Sequence, residues 1–438
     1  MRPIKYVLSL VLVLFFKFGF SQEKVSKKYT IDEIVQLALD NNQKLKVSKQ
    51  SVAIAAQQSE VYKQYQLPDI SFNAKAMYLG DVVLLDTDFS KVTTVDMPHF
   101  GNTFSLQAQQ LIYKGNAINN TVKIGSLQEQ LANLNVENDV IGVKFLVISN
   151  YLNLYKLYNQ KQVFVENIKL AQKRIDNVTS FYKQGMVTRN EIIRGDLLLA
   201  SLNQAIVTID NNIAILNTQL AIALGLPENE QIIPDDEILK LDTALQDYGT
   251  YKEEVITNHP LIKTIDLQKE LAQTSLDITK SDKLPILAGF AAYNMQRPLT
   301  NSFPIQDLYN NNWQVGVSLT YNIESLYKTS KKESLDKLKI EQISEVKTLT
   351  QQNLQVATKA AYLKYNEAIS QKDTYLESKR LAEENYRITE KKYLNQLALI
   401  TEILDASNSK LEAELQYINS EISIIYSYYN LLKTTGNL

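Results

Sequence analysis

The side chains that most often carry catalysis or bind metals are scarce in this 438-residue chain, which has two histidines and no cysteine. Neither His99 nor His259 has a second histidine or cysteine at the spacing of a metal site. Serines and acids are plentiful, but no base lies near them to activate a nucleophile, and no glycine-rich phosphate loop occurs. We therefore expect no enzyme activity, no cofactor and no metal site.

The N-terminus has the pattern of a secretory signal peptide. Two basic residues precede an apolar run at positions 7–16, and Gly19 and Ser21 provide the small residues of a cleavage site. We predict a signal peptide over residues 1–21. The alternative is an uncleaved anchor, although the run is shorter than the ~20 residues that span a bilayer. No later segment approaches ~18 unbroken apolar residues, so no transmembrane helix is expected.

The sequence after the signal peptide contains an internal repeat. Residues 38–46 parallel residues 255–263, and Leu67-Pro68 matches Leu284-Pro285 at the same offset. Further on, residues 182–185 match residues 393–396. This self-similarity predicts two tandem structural repeats. We place the first repeat at 22–225, a linker at 226–248 and the second repeat at 249–438.

Four segments switch to the period-two alternation of strands. They are predicted at 68–80, 102–113, 285–296 and 312–324, and the last alternates Trp313, Val315, Val317 and Leu319 with polar residues. Strands of ~10–12 residues are long enough to cross a bilayer at a tilt, whereas soluble strands average ~5–6. Membrane strands are therefore favoured. The alternatives are a soluble sheet with one buried face and, for Trp313, an ordinary core tryptophan.

Long helices account for most of the remaining sequence. Helices are predicted at 30–66 and 249–282, and two helical pairs at 115–183 with 189–223 and at 326–394 with 399–434. Apolar residues recur in them at steps of three to five, which is a coiled-coil-like pattern. A helix of ~70 residues extends ~100 Å, so a long tube or rod is expected.

Four membrane strands cannot close a barrel. An open sheet edge in lipid leaves backbone groups unsatisfied at several kcal/mol each, so other copies of the chain must close it. Three copies would supply twelve strands, an even number within the known range of barrels. We predict an α+β membrane protein that forms a homotrimer, while this reasoning alone leaves two or four copies open. The near-neutral charge of −2 argues against nucleic acid as a partner.

The repeated order of helix, Leu-Pro, strand, loop, strand and helical hairpin resembles the TolC family of outer-membrane efflux and secretion channels. The hairpin tips at 182–195 and 393–406 resemble the tip motif of that family most closely. The resemblance implies a passive outer-membrane exit duct whose helical tube extends into the periplasm. It also implies a periplasmic adaptor and an inner-membrane pump of RND, ABC or MFS type as partners, in tripartite efflux or type I secretion. The alternatives are a periplasmic adaptor and a soluble coiled-coil scaffold.

The resemblance also assigns roles to residues near the two tips. It implies that the adaptor docks on the tip residues, which are Gly185, Met186, Val187, Thr188, Gln396, Leu397, Ala398 and Leu399. It implies that Glu402 and Asp405 form acidic rings that narrow the entrance, and that Tyr393 bonds Glu191 to hold it closed. The competing interpretation of the acids is a solvated helix face. Two departures from the family pattern are Ala398, where the family has a gate arginine, and Gln396, where a glycine is common and a different turn is therefore expected.

Overall fold

The computed structural model describes residues 26–240, 243–302 and 304–438. The predicted signal peptide, residues 1–21, lies outside these residues. The chain divides into two compact units, each built from parts of both repeats. The helical unit comprises residues up to 48, 136–260 and 351–438, and the sheet unit comprises 49–135 and 261–350.

The described elements of both repeats include a pair of helices, two strands of one sheet and a long helical hairpin, in that order. The first repeat contains β1 (Ser26–Tyr29), α1 (Ile31–Asn41), α2 (Gln43–Gln64), β2 (Asp69–Tyr78), β3 (Val82–Leu85), β4 (Lys91–Val95), β5 (Phe100–Tyr113), α3 (Ala117–Lys183) and α4 (Arg189–Leu224). The remainder contains β6 (Gln231–Pro234), a 3-10 helix (Asp236–Lys240), α5 (Tyr248–Asn258), α6 (Pro260–Ser281), β7 (Ile286–Arg297), β8 (Asn310–Thr320), α7 (Ser325–Leu394) and α8 (Ile400–Thr435). The predicted duplication of helices, strand pair and helical hairpin is confirmed.

Each of the two predicted first helices is in fact a pair of helices, so the prediction of single helices at 30–66 and 249–282 was wrong. In the first repeat Asn42 separates α1 from α2. Its side chain accepts a hydrogen bond from Lys44 N at 3.0 Å and donates one to Ala223 O at 2.9 Å. In the second repeat Pro260 begins α6, and His259 before it is extended, because proline disfavours helical geometry in the preceding residue.

The core of the helical unit centres on the fully buried Tyr151. Its hydroxyl donates to Tyr29 O at 2.6 Å and accepts from Asp235 N at 2.8 Å. These bonds tie helix α3 to β1 and to the residue that follows β6. Strands β1 and β6 pair with each other in parallel. Burial raises the pKa of Tyr151 to about 12, so the hydroxyl stays protonated and able to donate.

The sheet unit contains a four-stranded sheet in the order β2-β5-β7-β8, with every neighbouring pair antiparallel. The strands of the two repeats thus meet at the β5–β7 pair. Strands β2 and β8 are the two edges of this open sheet. Since three antiparallel pairings separate them, β2 and β8 run in opposite directions.

The register places the apolar side chains of all four strands on one face. Phe72 lies opposite Leu106, Leu106 opposite Tyr293, and Tyr293 opposite Trp313. The opposite face is lined mainly by amide and hydroxyl side chains, among them Ser71, Asn73, Ser105, Gln107, Gln109, Asn294, Gln314 and Ser318. Trp313 is 76% exposed, so its interpretation as a core tryptophan is wrong for the single chain.

The loop between β2 and β5 contains regular structure. Strands β3 and β4 pair within it as a separate two-stranded antiparallel sheet. We call residues 82–95 the outer ribbon. No local signal in the sequence distinguished it from a polar loop.

One helix departs from the expectation that no helix after the N-terminus could span a membrane. Within the described residues, α4 has a stretch of 18 residues that is long and apolar enough to cross a bilayer, judged only by length and composition. Only 17% of that stretch is buried in the chain. Its exposed apolar side chains include Leu197, Val207, Ile215 and Ile222. Within the described residues, α4 therefore presents an apolar surface that the rest of the chain leaves largely uncovered.

Candidate functional site at the hairpin tips

The two hairpin tips have the same backbone geometry. At the first tip Gly185 N donates to Tyr182 O at 2.9 Å, and the next residue donates to Phe181 O at 3.0 Å. At the second tip Gln396 N donates to Tyr393 O at 2.9 Å, and Leu397 N donates to Lys392 O at 2.8 Å. Gly185 and Gln396 are both left-handed, with φ of 75° and 61°. The expectation that Gln396 shapes a different turn was therefore wrong.

The tip residues predicted to dock an adaptor lie together. Gln396 Nε2 contacts Met186 Sδ at 3.6 Å, and Val187 and Ala398 pack against the same apolar cluster. Leu397 and Leu399 are exposed, at 76% and 68%. The two tips thus form one surface with protruding apolar side chains.

Tyr393 and Glu191 are in direct contact across the hairpins. The buried Tyr393 hydroxyl donates to Glu191 Oε2 at 3.0 Å. Burial, together with the carboxylate of Glu191, raises the pKa of Tyr393 above its ordinary value. The ring of Phe181 meets the Tyr393 ring edge-on, with centroids 6.5 Å apart. The arrangement joins the start of α4 to the end of α7 by a charge-assisted hydrogen bond.

Glu402 and Asp405 occupy a different environment. Both are exposed in the chain. Glu402 Oε1 accepts a hydrogen bond from Leu399 N at 3.1 Å, which satisfies a free N–H at the beginning of α8. Glu402 therefore stabilises its own helix and contacts no residue of the first hairpin among the bonds described. Its repeat equivalent, Glu191, is the acid that Tyr393 binds.

A second polar contact between the hairpins was missed in the sequence. The buried Arg174 of α3 donates through Nη2 to the Tyr386 hydroxyl at 3.2 Å and to Ser407 Oγ at 3.1 Å. Tyr386 donates in turn to Glu390 at 3.1 Å, while Nη1 of Arg174 has no partner. Arg174 thus connects α3 to both helices of the second hairpin. The available signal was its position beside the apolar residues Ala171, Ile175 and Val178 of α3, which are also buried.

The whole fold matches solved outer-membrane channels. CusC superimposes with a TM-score of 0.77 at 14% identity, covering 93% of this chain and 92% of that one. VceC of Vibrio cholerae gives 0.75 at 14% identity, covering 93% and 96%. CmeC of Campylobacter jejuni gives 0.75 at 16% identity, covering 93% and 85%. At these identities the likeness is one of fold, and the fold is that of an outer-membrane channel.

The sequence adds a partial family match. Residues 252–437, which make up most of the second repeat, match the family model described as outer membrane efflux protein. No curated protein sequence matches the chain.

Proposed function

We propose that this chain is one protomer of a homotrimeric outer-membrane exit duct, which serves a tripartite efflux or type I secretion system. The observation that carries the proposal is the open four-stranded sheet with one apolar face. Its unpaired edges, β2 and β8, run in opposite directions. A second copy can therefore add its β8 to β2 as an antiparallel neighbour, and repetition of this step closes a barrel with no free edge.

The two faces of the sheet suit opposite surroundings. The face with Phe72, Leu106 and Trp313 fits the hydrocarbon of the outer membrane. The face with amide and hydroxyl side chains fits a water-filled lumen. Exposed apolar residues on α4, among them Leu197 and Ile222, support helix packing between copies in a periplasmic tube.

The gate of this duct lies at the hairpin tips. In the closed state the Tyr393–Glu191 bond holds the second hairpin against the first. Docking of a periplasmic adaptor and its inner-membrane pump on the exposed tip residues, such as Leu397 and Leu399, opens it. Glu402 and Asp405 line the narrow entrance in three copies, where like charges repel anions and attract cations.

Mass measurement of the detergent-extracted protein tests the assembly. We expect a trimer in the outer-membrane fraction, and a stable monomer would overturn the proposal. Single cysteines in this cysteine-free chain test the orientation. A cysteine at exposed Asn301, in the loop after β7, should react with an impermeant maleimide on intact cells, and one at Leu397 should not. The reverse result would invert the topology.

A further inference from the structure

The outer ribbon, residues 82–95, exposes apolar side chains on both of its faces. Along β3 successive residues point to opposite faces, and Val82, Val83, Leu84 and Leu85 are each between 41% and 52% exposed. A two-stranded hairpin without packing is at best marginally stable in water. Both faces of the outer ribbon therefore need partners that a single chain does not supply within the described residues.

The turn of the outer ribbon holds an aromatic residue where glycine is expected. The turn is closed by Phe89 N donating to Asp86 O at 2.9 Å and Asp86 N donating to Ser90 O at 2.8 Å. Phe89 is left-handed, with φ of 65°, a conformation that glycine or asparagine adopts more easily at this point of a hairpin. Its side chain is 82% exposed. The turn therefore places a large, exposed aromatic ring at the end of the outer ribbon, in a conformation that costs backbone strain.

The base of the outer ribbon is fixed. Leu79 N donates to His99 O at 2.9 Å, and Met97 N donates to Asp81 Oδ1 at 3.0 Å. The outer ribbon connects β2 to β5, and β2 is an edge of the sheet and thus lies at the proposed boundary between copies. The loop between β7 and β8 differs from the outer ribbon because its ends are joined within the chain. Arg297 donates two hydrogen bonds to Asp307, of 2.6 and 2.7 Å.

Symmetry identifies the partner. A threefold assembly gives each outer ribbon one neighbour on either side. Two neighbours would cover the two apolar faces of each outer ribbon, because one face of each ribbon would meet the opposite face of the next.

We propose that the outer ribbons of three copies pack against one another above the barrel, with Phe89 as the anchoring side chain, and narrow its external mouth. The inference rests on the proposed trimeric duct. The narrowing is distinct from the gate at the hairpin tips, since it involves residues 82–95 of the loop between β2 and β5. Its removal should admit bulky solutes to the barrel from outside.

Cross-linking tests the contact between outer ribbons. A Thr87→Cys variant treated with a short bis-maleimide should give covalent dimers and trimers, whereas Asn301→Cys, in the loop between β7 and β8, should not. Adding Phe89→Gly to Thr87→Cys should remove most of the product. Glycine relieves the strain of the turn, so Phe89→Gly should not disturb the outer ribbon itself. Loss of cross-links in a folded variant would therefore show that the Phe89 side chain contacts another copy and does not only shape its own turn.

Access from outside tests the narrowing. A cysteine at Ser105, on the polar face of β5, should react faster with a bulky maleimide when Phe89→Gly is also present. If the protein is trimeric but shows neither cross-links nor faster labelling, this inference is wrong and the proposed trimeric duct is unaffected. If mass measurement shows a monomer, both the inference and the proposed duct are wrong. Quenching of a fluorophore on Thr87→Cys by spin-labelled lipid would show a membrane contact and also overturn the inference.

Discussion

Removal of one hydroxyl, in Tyr393→Phe, should weaken the closed state of the duct. The hydroxyl is buried and donates to Glu191 at 3.0 Å. A hydrogen bond to a charged group contributes about 1.5–3 kcal/mol. Glu191 is half-buried and regains water when the bond is lost, so the lower end of that range applies.

In the proposed trimer the effect on the closed state multiplies, because the three copies would open together. Three bonds of about 1.5 kcal/mol amount to about 4–5 kcal/mol, or roughly a thousandfold change in the ratio of open to closed states. We therefore expect single-channel conductance in planar bilayers to rise in Tyr393→Phe, and to rise further when Glu191→Ala is added. The raised pKa of Tyr393 keeps the donor protonated as pH approaches 10, its ordinary value. Closure should therefore persist in mildly alkaline buffer and be lost only above that pH.

The matched control is Tyr182→Phe, which removes the same atom at the equivalent position of the first tip. Tyr182 is 44% exposed, so its loss should leave conductance unchanged. If Tyr393→Phe and the double variant conducted like the native trimer, the Tyr393–Glu191 bond would not hold the gate. An equal rise in Tyr182→Phe would mean that general loosening of the tips explains the result.

Four further outcomes follow from the structure. Replacing Glu402 and Asp405 with alanine should reduce cation selectivity in bilayers, and unchanged selectivity would place the constriction elsewhere. Val315→Arg, on the apolar face of β8, should cost about 2–4 kcal/mol of folding free energy in a bilayer, whereas the adjacent Gln314→Arg should cost little. Tyr151→Phe leaves Tyr29 O and Asp235 N without their hydrogen-bond partner. It should lower the free energy of unfolding by about 1–3 kcal/mol for each of these groups, as denaturant titration would measure. Arg174→Ala should speed hydrogen exchange near Ser407 more than Arg174→Met does, because methionine preserves the packed volume.

Periodicity predicted the long elements because it is a local property of the chain. Helix α3 was expected at 115–183 and is found at Ala117–Lys183, and β8 was expected at 312–324 and is found at Asn310–Thr320. In both cases many residues repeat the same spacing, so that the signal accumulates along the element. The repeat supported each prediction with a second, similar segment.

The features that were missed depend on distant residues. Strands β1 and β6 are four residues each and pair across about two hundred positions, with no connecting turn to mark them. Asn42 ends α1 partly by binding Ala223 O, which is 181 residues away. Arg174 resembles any solvated helix arginine until Tyr386 and Ser407 cover it. For such residues the sequence gives the type of side chain but not the neighbour that decides its role.

The contacts between the hairpins change in character along their length. Inward from the apolar cluster at the tips, which includes Val178 and Ile403, three polar pairs link α3 to α8. They are Arg174–Ser407, Asn167–Glu414 at 3.0 Å and Gln160–Asn419 at 2.9 Å. Beyond them, buried apolar residues of the main core, such as Leu152 and Ile422, take over. Water can replace lost polar bonds at small net cost, whereas separated apolar surfaces lose about 25 cal/mol per Å². If the hairpins part as proposed, their separation therefore ends near Gln160 and Asn419, and the hinge of the gate lies where the apolar core begins.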